Sequence, residues 1–163
     1  MMREDALEEM RTHFLQPGCI LVSDEPHLIS TVLGSCVSVC LRDEAVPVAG
    51  MNHYVFPRPW SGQRTAQFGS LSLPMMLRLL QERGARLERL EAHVFGGAEN
   101  PQLGSPIGGN NVRFALDLLA SKHISVLSRD VGGRRGRHVI FNTATGETRV
   151  RFIEDGEVRG HGK

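Results

Sequence analysis

Cys36 ends the run Ser30-Thr31-Val32-Leu33-Gly34-Ser35-Cys36, and a short distance downstream His53 sits in Met51-Asn52-His53-Tyr54. The cysteine follows a glycine turn and opens an apolar run; the histidine lies inside the next one. Held on neighbouring strands, such a pair can act as nucleophile and acid/base. A thiol attacks as thiolate, which an adjacent imidazole favours, and neighbouring strands allow the hydrogen-bond reach that proton transfer needs. Gly34 permits a tight backbone around Cys36, so N–H groups at Ser35-Cys36 are available to a tetrahedral oxyanion. A third group usually orients the imidazole. Ser30 and Thr31 are the nearby hydroxyls, and no carboxylate lies in the segment. The chemistry these residues suggest is that of a thiol hydrolase.

Each residue also has a plainer reading. Free cysteine is often a small buried apolar side chain. Cys40, with no turn beside it, reads as packing, and Cys19 after Pro17-Gly18 reads as packing at a strand start. Zinc on Cys36, Cys40 and His53 lacks both a CxxC and a paired-histidine spacing, so no metal or other cofactor is expected. The pairs Gly96-Gly97, Gly108-Gly109 and Gly132-Gly133 match no phosphate-binding loop and read as turns or close backbone contacts. Arg134, Arg135 and Arg137 form a basic cluster, read as a solvated face or a contact to an acidic protein.

The chain has 163 residues and a net charge of +1. That length suits a single domain spanning 1–163 with a sizeable core, and the near-neutral charge selects neither nucleic acid nor a membrane surface. No run approaches the length needed to span a bilayer. Three cysteines without an export-signal pattern suggest a cytoplasmic protein with reduced thiols.

The elements that must position the pair follow from periodicity. Residues 4–15, with Leu7, Met10 and Phe14 on one side, suggest a short N-terminal helical extension within residues 1–15. Strands are expected at Cys19–Ser23, Cys36–Arg42 and Val48–Phe56. In the last, Met51, His53 and Val55 share a face. Pro57–Gly69 reads as a loop at the rim of the candidate site, with Trp60 and Phe68 able to line it. A helix follows, with Pro74 in its first turn, Leu73, Met76, Leu77 and Leu80 at helical spacing, and Gly84 ending it. Leu90–Phe95, Ile124–Ser128, His138–Asn142 and Thr148–Ile153 read as strands, with a second helix over Asn111–Lys122. The last two strands join through Thr145-Gly146 as a hairpin. About seven strands and two or three helices predict an α+β fold.

Several separated segments together resemble the CheD family, the chemoreceptor glutamine deamidases of bacterial chemotaxis. They are Pro17-Gly18, Ser30 through Val37, Gly50 through Tyr54, Phe95-Gly96-Gly97-Ala98, Ile107-Gly108 with Asn111, Asp130 through Gly133, Arg137, and Thr145-Gly146. The resemblance implies a mixed β-sandwich with flanking helices and a papain-like Cys-His-Thr site on a non-papain fold. It matches Cys36 to the nucleophile, His53 to the general acid/base and Thr31 to the third member; a variant spacing in the family points to Ser30 instead. It implies deamidation of glutamine side chains on chemoreceptor cytoplasmic helices through a thioester, with glutamyl methyl ester hydrolysis as a side activity and no cofactor. A CheC-type phosphatase is an implied partner, and a purely binding role or another thiol amidase are the alternatives. The chain departs from the family at Asn110, usually arginine, and at Glu99-Asn100-Pro101, where a methionine is usual.

Overall fold

A computed structural model describes residues 10–154. Nine strands are described: β1 (Arg11–Phe14), β2 (Ile20–Ser23), β3 (His27–Leu33), β4 (Val37–Asp43), β5 (Val48–Asn52), β6 (Leu90–Gly96), β7 (Ser125–Val131), β8 (Arg137–Asn142) and β9 (Thr148–Phe152). Two helices, α1 (Gly69–Glu82) and α2 (Ile107–Ser121), interrupt them. The strands form a four-stranded sheet, β1-β3-β8-β9, and a five-stranded sheet, β2-β5-β4-β6-β7. The pairs β1/β3 and β6/β7 are parallel and the rest antiparallel, so both sheets are mixed. The α+β sandwich expected from the sequence is the fold observed.

Strand β4 shows why three layers form. It is buried on both faces except at Arg42. Val37, Val39 and Leu41 pack under the helices with Leu73, Met76, Leu80, Phe114 and Leu119. Cys36 and Cys40 face the other way, with Ile29, Leu33, Met51, Phe95 and Phe141 between the sheets. Alternation along a strand sends successive side chains to opposite layers. Helix α1 buries Leu73, Met76, Leu77 and Leu80, each contributing about 1.5–3 kcal/mol of burial free energy.

Several boundaries differ from those expected. Arg11–Phe14 is an exposed edge strand, not a helix; residues 1–9 of the expected extension lie outside the described residues. Helix α1 starts at Gly69, which puts Pro74 inside it rather than in its first turn. Helix α2 starts at Ile107, ahead of the glycine pair read as a turn or a close backbone contact. A Cβ at Gly108 would lie 2.3 Å from the Ala98 carbonyl oxygen, so the pair serves close packing. Strand β3 was not expected at all.

Candidate active site

The site lies at one end of the interface between the sheets. Strand β5 stops at Asn52, whose Oδ1 takes the Val39 N–H at 2.7 Å in place of a main-chain carbonyl. Its Nδ2 donates to Ser72 Oγ on α1. The main chain of His53 turns to the other neighbour: its N–H donates to the Cys19 carbonyl and its carbonyl accepts from Gly18. Tyr54 rejoins Val37 in an isolated antiparallel bridge. Cys40 pairs with Met51 and Val37 with Tyr54. That register, carried through, sets Ser38 opposite His53 and Cys36 diagonal to it on the same face. Diagonal neighbours in a sheet are within reach of long side chains.

Thr31 arrives from the opposite sheet. Along β3, Ile29, Thr31 and Leu33 are buried while Ser30 and Val32 are half-buried. Parity therefore selects Thr31 over Ser30 as the inward hydroxyl. Thr31 Oγ1 lies 2.7 Å from His53 Nδ1 and 2.8 Å from the Leu15 carbonyl oxygen. A carbonyl only accepts, so the Thr31 O–H is donated to Leu15. The hydroxyl oxygen must then accept from His53, which puts the ring proton on Nδ1 and leaves a lone pair on Nε2. Nε2 is buried and has no protein partner.

Burial holds both reactive groups neutral. Desolvation drives the His53 pKa down to about 4, opposed by the Leu15 carbonyl beside the ring. It pushes the Cys36 thiol up to about 11, opposed by the residue's own N–H. At neutral pH both groups rest uncharged, as thiol and imidazole, rather than as an ion pair.

The carbonyls of the Cys36 turn are held from behind. The Gly34 carbonyl accepts from Ala98 N–H at 2.9 Å, that of Ser35 from Asn111 Nδ2 at 2.9 Å, and that of Cys36 from Gly97 N–H at 2.8 Å. Gly96 has φ 108°, and a Cβ there would lie 2.2 Å from the Cys36 carbonyl oxygen. The glycine pair is thus a close backbone contact, made so that β6 can lie against the turn. Beside it runs an open groove of about 620 Å³ lined by residues that include Gly34, Ser35, Glu99, Asn100 and Arg134.

Other expectations divide. Cys40 is fully buried, as read, but Cys19 is exposed rather than packed. Phe68 is buried and cannot line a rim, whereas Trp60 is 70% exposed and packs edge-on against Phe56 and Phe68. Arg137 is not part of a solvated cluster: it is 2% exposed and donates to Asp130 and to the Gly96 carbonyl. Glu99, one of the family departures, accepts from the Gly109 N–H in the first turn of α2. Ser38 and Asn111 are buried polar residues at the site that the chemical reading of the sequence did not single out. Asn111 entered only through the family resemblance, and its two partners, Ser35 and Val55, are 76 and 56 residues away.

Comparison with known proteins supplies the family. Residues 57–152 match the family model described as CheD chemotactic sensory transduction. A protein of Anaeromyxobacter dehalogenans named probable chemoreceptor glutamine deamidase CheD 1 is 43% identical, over 86% of this chain and 84% of its own. A CheD of Trichlorobacter lovleyi with the same probable assignment is 42% identical, over 89% of this chain and 92% of its own. The crystal structure of Neisseria meningitidis protein NMB0706, of family DUF152, aligns with a TM-score of 0.52 at 8% identity, covering 85% of this chain and 77% of that one. That likeness is one of fold. Among the described residues no helix is long and apolar enough to cross a membrane. With the family model matched over more than half its length and relatives of this identity spanning most of it, the chain belongs to the CheD family.

Proposed function

We propose that this protein is a single-domain hydrolase that deamidates glutamine side chains on the cytoplasmic helices of chemoreceptors, with Cys36, His53 and Thr31 as its catalytic set. The observation that carries the reading is the buried Thr31–His53 contact, which leaves Nε2 unprotonated on the face shared with Cys36. The names of the relatives supply the substrate class.

The chemistry runs in two acyl transfers. His53 Nε2 takes the thiol proton as Cys36 Sγ attacks the glutamine amide carbon, and the carbonyl electron pair moves onto oxygen. N–H groups of the Cys36 turn hold that oxyanion. As the tetrahedral species collapses, His53 delivers its proton to the amide nitrogen and ammonia leaves, giving a thioester. Water then attacks the thioester carbon while Nε2 takes its proton. The second collapse expels the thiol, reprotonated by His53, and releases glutamate. Thr31 keeps the imidazole in the Nδ1–H tautomer and stabilises the imidazolium in both steps. A glutamyl methyl ester presents the same acyl carbon, with methanol in place of ammonia.

The open groove beside Ser35 suits a folded helix better than a small molecule, which would call for an enclosed apolar pocket. Mass spectrometry of a chemoreceptor cytoplasmic fragment incubated with the protein tests the reading, with Cys36→Ala as control. The expected result is a gain of about 1 Da at specific glutamines with the wild type and none with the variant, a loss of at least about a thousandfold. Absence of conversion on several receptor fragments, with the wild type folded and Cys36 reduced, would refute it.

A further inference from the structure

We infer that Asn111 is a positioning residue for the reaction, the side chain that turns the Ser35–Cys36 peptide so that its N–H faces the developing oxyanion. The inference rests on the proposed thiol mechanism and deepens it.

Among the described residues the buried side-chain polar atoms without a partner are Ser38 Oγ, His53 Nε2 and Asn111 Oδ1. Two lie beside Cys36 on the interior face of the five-stranded sheet. The third belongs to a residue that reaches the Cys36 turn from the helix layer. Native interiors rarely leave such atoms unpaired, and all three belong to residues that flank or tether the Cys36 turn.

In a trans peptide the N–H points opposite to the carbonyl that precedes it. The Gly34 carbonyl is drawn toward Ala98 and the Ser35 carbonyl toward Asn111. The N–H groups of Ser35 and Cys36 therefore turn away from both tethers. Among the described residues neither donates to a main-chain or side-chain acceptor. An oxyanion forms on the carbon bonded to Cys36 Sγ, and the N–H of the same residue, with no other acceptor, is available to it.

The tethers on Gly34 and Cys36 are main-chain groups. The one on Ser35 is a side chain, and its chemistry is specific. Asn111 Nδ2 donates to both the Ser35 carbonyl and the Val55 carbonyl, the latter at 2.8 Å. Two carbonyl partners fix which end of the amide faces them. Val55 follows His53 by two residues, so one buried amide ties the nucleophile turn to the segment leaving the base. The Asn111 main-chain carbonyl, in turn, accepts from the Tyr54 hydroxyl. An aspartate has no donor for either carbonyl; a serine has one, on a shorter arm.

The test separates oxyanion binding from thiol reactivity. The probe is a capped peptide carrying glutamate semialdehyde in place of glutamine. Cys36 Sγ adds to its aldehyde carbon, the carbonyl pair moves onto oxygen, and the thiol proton passes to His53. Its affinity is read as protection of Cys36 against iodoacetamide. Alkylation by iodoacetamide displaces iodide and forms no oxyanion, so its rate reports thiol and imidazole alone. In Asn111→Asp the aldehyde affinity is expected to fall about 10- to 100-fold, with the alkylation rate and its pH profile unchanged. Asn111→Ser is expected to fall between the two and covers the case in which the aspartate variant does not fold. Unchanged aldehyde affinity in the folded variants would overturn the inference. So would a parallel fall in affinity and alkylation, or a wild type that forms no aldehyde adduct. A wild type that binds the aldehyde yet leaves receptor fragments unmodified would refute the receptor reading alone.

Discussion

At one end of β4 the carboxylate of Asp43, fully buried, accepts from the Ala45 N–H, the Arg86 N–H and the Arg89 guanidinium at 2.9–3.0 Å. At the other end, around Ser38 and the Cys36 turn that precedes the strand, Ser38 Oγ and His53 Nε2 are buried without partners. Burial raises the Asp43 pKa, but those donors outweigh it and the carboxyl titrates below its usual range. Near Cys36 desolvation wins, and both reactive groups are pushed toward neutrality. One strand thus shows what a buried polar group looks like when it holds the fold together and, on the proposed mechanism, when it is kept for a reaction. Saturation with partners marks the first, and a deliberate vacancy in the hydrogen bonding marks the second.

Three experiments sharpen or break the contrast. The largest effect is expected at the saturated end. Asp43→Ala leaves the Arg86 N–H and the Arg89 guanidinium without their acceptor and should cost about 3–5 kcal/mol in chemical denaturation. Its rate of Cys36 alkylation should stay at the wild-type value. A variant as stable as the parent would show the Asp43 network to be ornamental.

The second effect is one of pH. Unfolded His53 binds a proton below about 6.5, whereas the folded residue does so only near 4. Between those values the unfolded state holds more protons, so stability falls as the pH is lowered through the window, by about 3 kcal/mol in all. Denaturation midpoints measured from pH 7 to pH 4 should show that loss, and His53→Gln should abolish it. An identical pH dependence in both proteins would place the acid sensitivity elsewhere.

The smallest effect has the opposite sign. Ser38 carries a buried hydroxyl with no partner, so Ser38→Ala should stabilise the protein by about 1 kcal/mol. A loss of stability would mean that the hydroxyl is satisfied in solution and that the two ends of β4 differ less than their geometry suggests.

The readable part of the site was the part with local signals. Cys36 and His53 stand out through a glycine turn and flanking apolar runs, and the register of β4 with Tyr54 puts them on one face. Thr31 was separable from Ser30 only once β3 had a parity. That strand hides in the sequence because Leu28 and Val32 make its outer face as apolar as its inner one, and because it pairs with β8 far along the chain. Strand β1 was misread for a related reason. Four exposed edge residues have no alternation to show, and the spacing of Met10 and Phe14 is one that a helix also produces. Of the two readings given to the glycine pairs, turns or close backbone contacts, the second holds at Gly96 against the Cys36 carbonyl and at Gly108 against Ala98. Such contacts have no periodicity; they appear only when two distant segments are brought together.

All three residues of the proposed catalytic set lie between positions 31 and 53, yet they stand on two sheets. The strand that carries Thr31 is held in its sheet on one side by β8, residues Arg137–Asn142. A ribosome therefore releases Thr31, Cys36 and His53 long before it makes the strand that brings the threonine to the imidazole. Until then the emerging chain carries a thiol and a histidine in no fixed tautomer, with no hydrolytic power over its neighbours. On the proposed mechanism, activity would wait for the closing of the second sheet, and a chain truncated ahead of β8 would lack it.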